Sequence, residues 1–455
     1  MKHIITTLLI LFIGASAFAQ TDHSMFVEGP FDSPQSVTET CLMCHEGVDK
    51  EIMQTRHWKW KGDEFTKADG ETVSRGKINT VNNFCVAVPS NWGRCTSCHI
   101  GYGWEDENFD FTEGKNIDCL VCHDQSGEYK KTPTGAGMPD PSVDLEKVAQ
   151  SVGKTQINNC AVCHFDGGGG TGVKHGDMDE SLRNPSADLD VHMGGLGFTC
   201  ADCHAGENHK ILGASHGSMA SGDNHISCLG CHEERPHRKN LLNNHVSAIA
   251  CETCHIPAFA REAPTKTWWD WSTAGQDKKE ATDKYGKKIY MKKKGSFVWS
   301  KNVIPEYRWY NGKADYYYIG DKVKANEVVK LNELSGSIDD PDAKIAPFKL
   351  MRGKQIYDTE NNYLIVPKLF GPDGYWKTFD WNAAANLGME TVGLDYSGKY
   401  GFIETEMYWP INHMVAPAKD ALKCTVCHTR SSNKRLDWEK LGYKGDPMSK
   451  GGRVQ

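Results

Sequence analysis

The pattern Cys-X-X-Cys-His occurs eight times in this chain, and it constrains the fold more than any other feature. The copies are Cys41–His45, Cys95–His99, Cys119–His123, Cys160–His164, Cys200–His204, Cys228–His232, Cys251–His255 and Cys424–His428. Their paired cysteines (Cys41 and Cys44, Cys95 and Cys98, Cys119 and Cys122, Cys160 and Cys163, Cys200 and Cys203, Cys228 and Cys231, Cys251 and Cys254, Cys424 and Cys427) account for all but one of the 17 in the chain. In such a motif the two thiols form thioethers with the vinyl groups of a porphyrin, and the adjacent histidine becomes an axial iron ligand. Zinc would want the cysteines gathered into four-ligand sets, and a disulfide framework has no reason to repeat the histidine. The cofactors predicted are eight covalently attached haem c groups, with His45, His99, His123, His164, His204, His232, His255 and His428 as proximal ligands.

That many porphyrins explain an otherwise odd composition. The chain has 455 residues, of which only 39% are hydrophobic and 45 are glycine, thin material for a core of that length. Each porphyrin supplies a large apolar surface to bury. The expected fold is a multihaem cytochrome c of short α-helices and irregular loops wrapped around eight covalent haems. Residues 20–262 form the haem-rich region with the first seven motifs. Residues 263–412 lack cysteine and are rich in Trp, Tyr and Lys. Strand-like runs such as Phe297-Val298-Trp299 and Tyr316-Tyr317-Tyr318, with a turn at Asn311-Gly312, predict a mixed, partly β insertion there. Residues 413–455 carry the last motif.

Residues 1–19 read as a secretory signal: Lys2, an apolar run from Ile4 to about Phe12, then Ala17-Phe18-Ala19. No stretch reaches the roughly 20 apolar residues of a spanning helix. The expectation is an exported, periplasmic protein without a membrane span, fed by a periplasmic or membrane-bound electron donor. The formal charge of −7, to which haem propionates add, argues against a nucleic-acid partner. Between Lys278 and Lys294 lie eight lysines, which either keep a hairpin solvated or steer an anion.

The histidine count bears on mechanism. Of 19, eight belong to motifs, His3 leaves with the signal, and His23 lies close to the new terminus. Nine remain as distal candidates: His57, His175, His192, His209, His216, His225, His237, His245 and His413. A haem held by two histidines passes electrons, whereas one with a weaker or missing ligand can bind substrate. Nine candidates suffice to close every iron, so counting leaves a pure electron conduit open. Cys85, the cysteine left over, is either a buried inert thiol or a functional one, since exported proteins usually avoid an unpaired thiol.

Several local sequences carry a resemblance: His57-Trp58, Asn82-Asn83-Phe84-Cys85, Gly167–Gly170 followed by Val173-Lys174-His175-Gly176-Asp177, Glu207-Asn208-His209, Arg235-Pro236-His237, Cys254-His255-Ile256-Pro257, Thr265-Lys266-Thr267, Trp271–Gly275 and Asn412-His413-Met414. With the eight motifs and the long gap before the last, the chain resembles the octahaem tetrathionate reductases, relatives of the hydroxylamine oxidoreductase lineage. The resemblance implies a lysine ligand on the haem of the second motif, matched here by Lys174, with Lys154 in reserve. It also implies a catalytic cysteine and asparagine, matched by Cys85 and Asn82. Of the nine counted histidines, His57, His175, His192, His209, His237, His245 and His413 are expected as distal ligands. The implied activity is reduction of a small anion, tetrathionate to thiosulfate, with nitrite or hydroxylamine as the alternative substrates. The chain departs from the family pattern at Thr171, where an acidic residue is expected three positions before the lysine.

Overall fold

The computed structural model describes residues 21–453 apart from 63, 68, 69, 85, 214, 217, 218, 221–224, 430, 432 and 433. The expected signal segment and Cys85 therefore lie outside the described residues. Among those described, no helix is long and apolar enough to cross a membrane.

The haem-rich region is built from helices of one to three turns. The longest, α1 (Pro34–Cys44), starts on a Ser33–Ser36 capping box with Pro34 in the first turn. Helix α2 (Ile157–His164) carries the fourth motif. Several motifs form a single helical turn, closed by the histidine N–H on the carbonyl of the first cysteine: His45 to Cys41 at 2.9 Å, His204 to Cys200 and His428 to Cys424 at 2.8 Å. One turn is what the motif needs, because residues i, i+3 and i+4 share a helix face. Both thiols and the imidazole then meet one porphyrin.

The cysteine-free segment is built around one mixed eight-stranded sheet, beside which Ala314–Tyr316 and Asn332–Leu334 form a separate antiparallel pair and Trp381–Thr391 a helix. The sheet's strands are β1 (Thr265–Asp270), β2 (Tyr290–Met291), β3 (Gly295–Ser300), β4 (Glu306–Tyr310), β5 (Val329–Lys330), β6 (Lys344–Asp358), β7 (Tyr363–Leu364) and β8 (Tyr400–Pro410). The long β6 is central. It pairs antiparallel with β8 from Phe348↔Pro410 to Asp358↔Tyr400 and parallel with β1 through Arg352↔Trp268. Large apolar residues fill its packed face: Trp269, Phe297, Phe348, Met351, Ile356, Ile403 and Trp409 belong to one buried cluster. The sheet is tied to the haem-rich region by backbone. Ala250 N–H and the Thr253 hydroxyl both donate to the Ile345 carbonyl, at 3.0 and 2.8 Å.

Candidate haem array and its exceptional site

All sixteen motif cysteines line one continuous cavity of about 4600 Å³, far beyond the few hundred Å³ of an ordinary ligand pocket. Histidines face each other across it. Ring centres lie 6.4 Å apart for His23 and His45, 6.2 Å for His57 and His164, and 6.1 Å for His192 and His232. His204 and His413 are 6.3 Å apart, and His237–His255 and His245–His428 are each 6.1 Å apart. An iron between two imidazoles needs about 2 Å of metal–nitrogen bond on each side, plus the rings' own radii, so roughly 6 Å between centres fits. His123 lies near His209, the imidazole whose charge it feels most.

The ring nitrogens are assigned consistently. Nδ1 is held by the protein in His123 (Gly153 carbonyl, 2.9 Å), His204 (Leu212 carbonyl, 3.0 Å) and His428 (Asp446, 2.7 Å). The same holds on the opposite side for His209 (Glu51, 2.8 Å), His237 (Asn243, 3.2 Å), His245 (Leu241 carbonyl, 2.8 Å) and His413 (Asp177, 3.1 Å). A fixed Nδ1–H leaves Nε2 as the metal-binding nitrogen and orients the ring. Asp177 is buried, which raises its carboxyl, yet its bonds from the His413 ring and from the Asn412 and His413 N–H groups outweigh that and hold it low.

His99 does the opposite. Its Nε2, not Nδ1, donates to a backbone carbonyl, that of Trp58 at 2.6 Å. The ring sits among Trp58, Trp60, Trp104, Phe109 and Phe111, and is the one motif histidine that does not line the cavity. His175 is enclosed beside Lys174, His164 and His413 and lies edge-on to Trp409 at 5.5 Å. His225 bonds the Gly312 carbonyl at 3.0 Å. His23, discounted because it is near the terminus, is the partner of His45. Asp22 caps the turn that fixes it, accepting from Ser24 N–H at 3.0 Å.

Lys174 lies beside the second motif. It faces the cavity with Nζ 5.3 Å from the Trp409 ring centre. Burial pulls its ammonium down to about 7, the Lys77 charge pushes the same way, and the neighbouring Cys98 of the second motif opposes both. A neutral amine, the only form that binds metal, is thus within reach near neutral pH. Lys154, the reserve candidate, is exposed.

The loop that presents Lys174 is unusual backbone. Gly168, Gly169, Gly170 and Gly172 all have positive φ, and a Cβ on Gly172 would sit 2.7 Å from the Pro264 carbonyl. Gly168 packs against Phe84, in the turn where Asn82 Oδ1 accepts the Phe84 N–H at 3.1 Å. Asn82 is thereby brought to the Lys174 cavity, which it lines. On the other side of the loop lies a second cavity of about 360 Å³, lined by Gly169, Gly170, Thr171 and by Lys266, Lys287, Lys288 and Lys294.

Sixteen thiols and paired imidazoles around one cavity define a multihaem cytochrome c. A family profile described as bacterial cytochrome c matches residues 266–431, and one described as cytochrome c7 and related cytochrome c matches residues 186–267. A crystal structure of octaheme cytochrome c from Shewanella oneidensis is 50% identical, covers 96% of this chain and 100% of its own, and superposes with a TM-score of 0.90. An uncharacterized protein of Archaeoglobus fulgidus is 28% identical over 247 residues, 43% of this chain and 82% of its own. The chain belongs to the octahaem c-type cytochromes, redox proteins carrying eight covalent haems.

Proposed function

We propose that this cytochrome is a periplasmic reductase of a small anion, tetrathionate first, at the haem of the second motif. One observation supports the reading: six motif histidines face a second imidazole and His123 lies near His209, while beside Cys98 of the second motif it is the buried amine of Lys174 that stands in the cavity. A conduit would need no exceptional site. When bound, the haems supply the two electrons the reaction consumes, and the bis-histidine sites carry them inward from an external donor.

The motifs form a connected series through their thiols. Cys41 contacts Cys119, Cys98 contacts Cys163, Cys160 contacts Cys200 and Cys228 contacts Cys251. Cys122 lies near Cys160, Cys203 near Cys231 and Cys254 near Cys424. The second motif therefore joins the series at the fourth. The four lysines of the smaller cavity suit an anionic substrate on the way to Lys174.

For tetrathionate the chemistry assigned to Cys85 is thiolate attack on the central S–S bond. One thiosulfate leaves, a cysteine S-thiosulfonate forms, and two electrons then cleave its S–S bond to release the second thiosulfate and restore the thiolate. Asn82, three residues before Cys85 in the sequence, orients the anion. The test is steady-state oxidation of reduced methyl viologen with tetrathionate, nitrite and hydroxylamine compared directly. A dominant specificity constant for tetrathionate supports the sulfur reaction. Preference for a nitrogen substrate moves the chemistry to the iron without Cys85, and no turnover with any of the three restores the conduit.

A further inference from the structure

Deep under the Lys174 loop lies a second lysine with no solvent exposure, Lys349 of β6. Its Nζ donates to the Val173 carbonyl at 2.8 Å, the Lys174 carbonyl at 3.0 Å and the Thr265 hydroxyl at 2.7 Å. Thr265 Oγ1 in turn reaches the Gly172 carbonyl at 2.7 Å and the His175 carbonyl at 3.0 Å, and Lys266 N–H also donates to Gly172 at 2.9 Å. Four consecutive carbonyls, those of residues 172–175, thus converge on one side. The donors match them: three ammonium hydrogens serve Val173, Lys174 and Thr265, the backbone N–H serves Gly172, and the threonine proton is left for His175. Burial pulls the Lys349 ammonium down to about 7, and the three acceptors around Nζ favour the ammonium, since a neutral amine has only two hydrogens to give.

Carbonyls gathered this way repel one another and are costly to leave unpaired, so the loop conformation depends on the cation at its centre. The same strand pair supplies the wall of the site. Lys349 is registered opposite Trp409 of β8, whose ring faces the Lys174 amine. Further along, Gly176 runs so close to Lys349 that a Cβ there would lie 3.2 Å from its Cδ.

We propose that Lys349, with Thr265, is the positioning residue for Lys174: an internal ammonium that fixes the backbone from which the Lys174 amine reaches the iron. The inference rests on the reading of Lys174 as that ligand.

The test is EPR and near-infrared spectroscopy of ferric holoprotein, with mass spectrometry counting haems. Lys349→Met should keep eight haems and the bis-histidine signals. The amine-ligated signal should become heterogeneous, and it should disappear on acidification about one to two pH units higher, as a tenfold to hundredfold weaker hold implies. Thr265→Val should shift it in the same direction, and Thr265→Ser should restore it. A folded Lys349→Met protein with the wild-type signal and release pH overturns the proposal. Should that variant fail to mature, an unchanged Thr265→Val overturns it instead. Lys174→Ala separates the two readings. If it leaves the signal intact, the ligand assignment falls; if it abolishes the signal while Lys349→Met does nothing, only the positioning role falls.

Discussion

His99 packs inside an aromatic cage, with Nε2 bonded to the Trp58 carbonyl, and losing that bond strands a buried carbonyl, at about 1–3 kcal/mol. Replacing His99 by Leu should therefore lower thermal stability by about that amount and, because the second motif predicts His99 as its proximal ligand, change the ferric spectrum of that haem. A folded variant with an unchanged spectrum would remove His99 from the ligand set. Lys174 makes a prediction with a definite sign. Burial brings its amine to about 7, and a metal bond competes with the proton. The amine-ligated signal should persist above pH 7 and be lost only on acidification below it, as a spectroscopic titration would show. Asp177 belongs to the same scale. Asp177→Asn loses the carboxylate that holds Nδ1 of His413, and should weaken that distal ligand about 10- to 100-fold, read as easier displacement by cyanide.

Among the elements, the hairpin bearing Lys287 and Lys288 matters through the small basic cavity it closes. Charges there act on encounter more than on bond cleavage. Lys287→Gln with Lys288→Gln should raise KM for an anionic substrate several-fold and steepen no chemical step, leaving kcat within about twofold; an unchanged KM at low salt would return the hairpin to a solubilising role. The motif turns were legible in the sequence because attachment chemistry fixes i, i+3 and i+4 at once. The glycine loop was legible as a loop, and its four positive-φ residues explain why glycine is required there. The ligand pairs were not. His413 meets His204 across 209 positions and His57 meets His164 across 107, and no local periodicity encodes such distances. The length of β6 was also hidden, since Lys344, Lys349, Arg352 and Lys354 interrupt its apolar pattern. Lys349 is tolerated inside it only because carbonyls from another element surround its ammonium.

At the scale of the whole molecule, two kinds of interior hold the chain together, and they should fail separately. The sheet has its own packed core of Trp, Tyr, Phe and Met side chains, with β6 and β8 paired over eleven residues. The haem-rich region has instead a cavity of about 4600 Å³ whose walls are short helices and loops. Without porphyrins those walls have few apolar partners, and ordering the chain around empty space costs roughly 1–2 kcal/mol per residue with no burial to offset it. Haem attachment is then the folding event for residues 34–255 in the way that metal binding folds small metal-dependent domains. The apoprotein, made without haem-attachment machinery, should be cleaved rapidly by protease across 34–255 while strands within 344–410 exchange amide hydrogens more slowly than the rest. The holoprotein should resist protease throughout. Uniform, rapid exchange along the apoprotein would mean that the sheet too depends on the haem array, through the bonds that Ala250 and Thr253 make to Ile345.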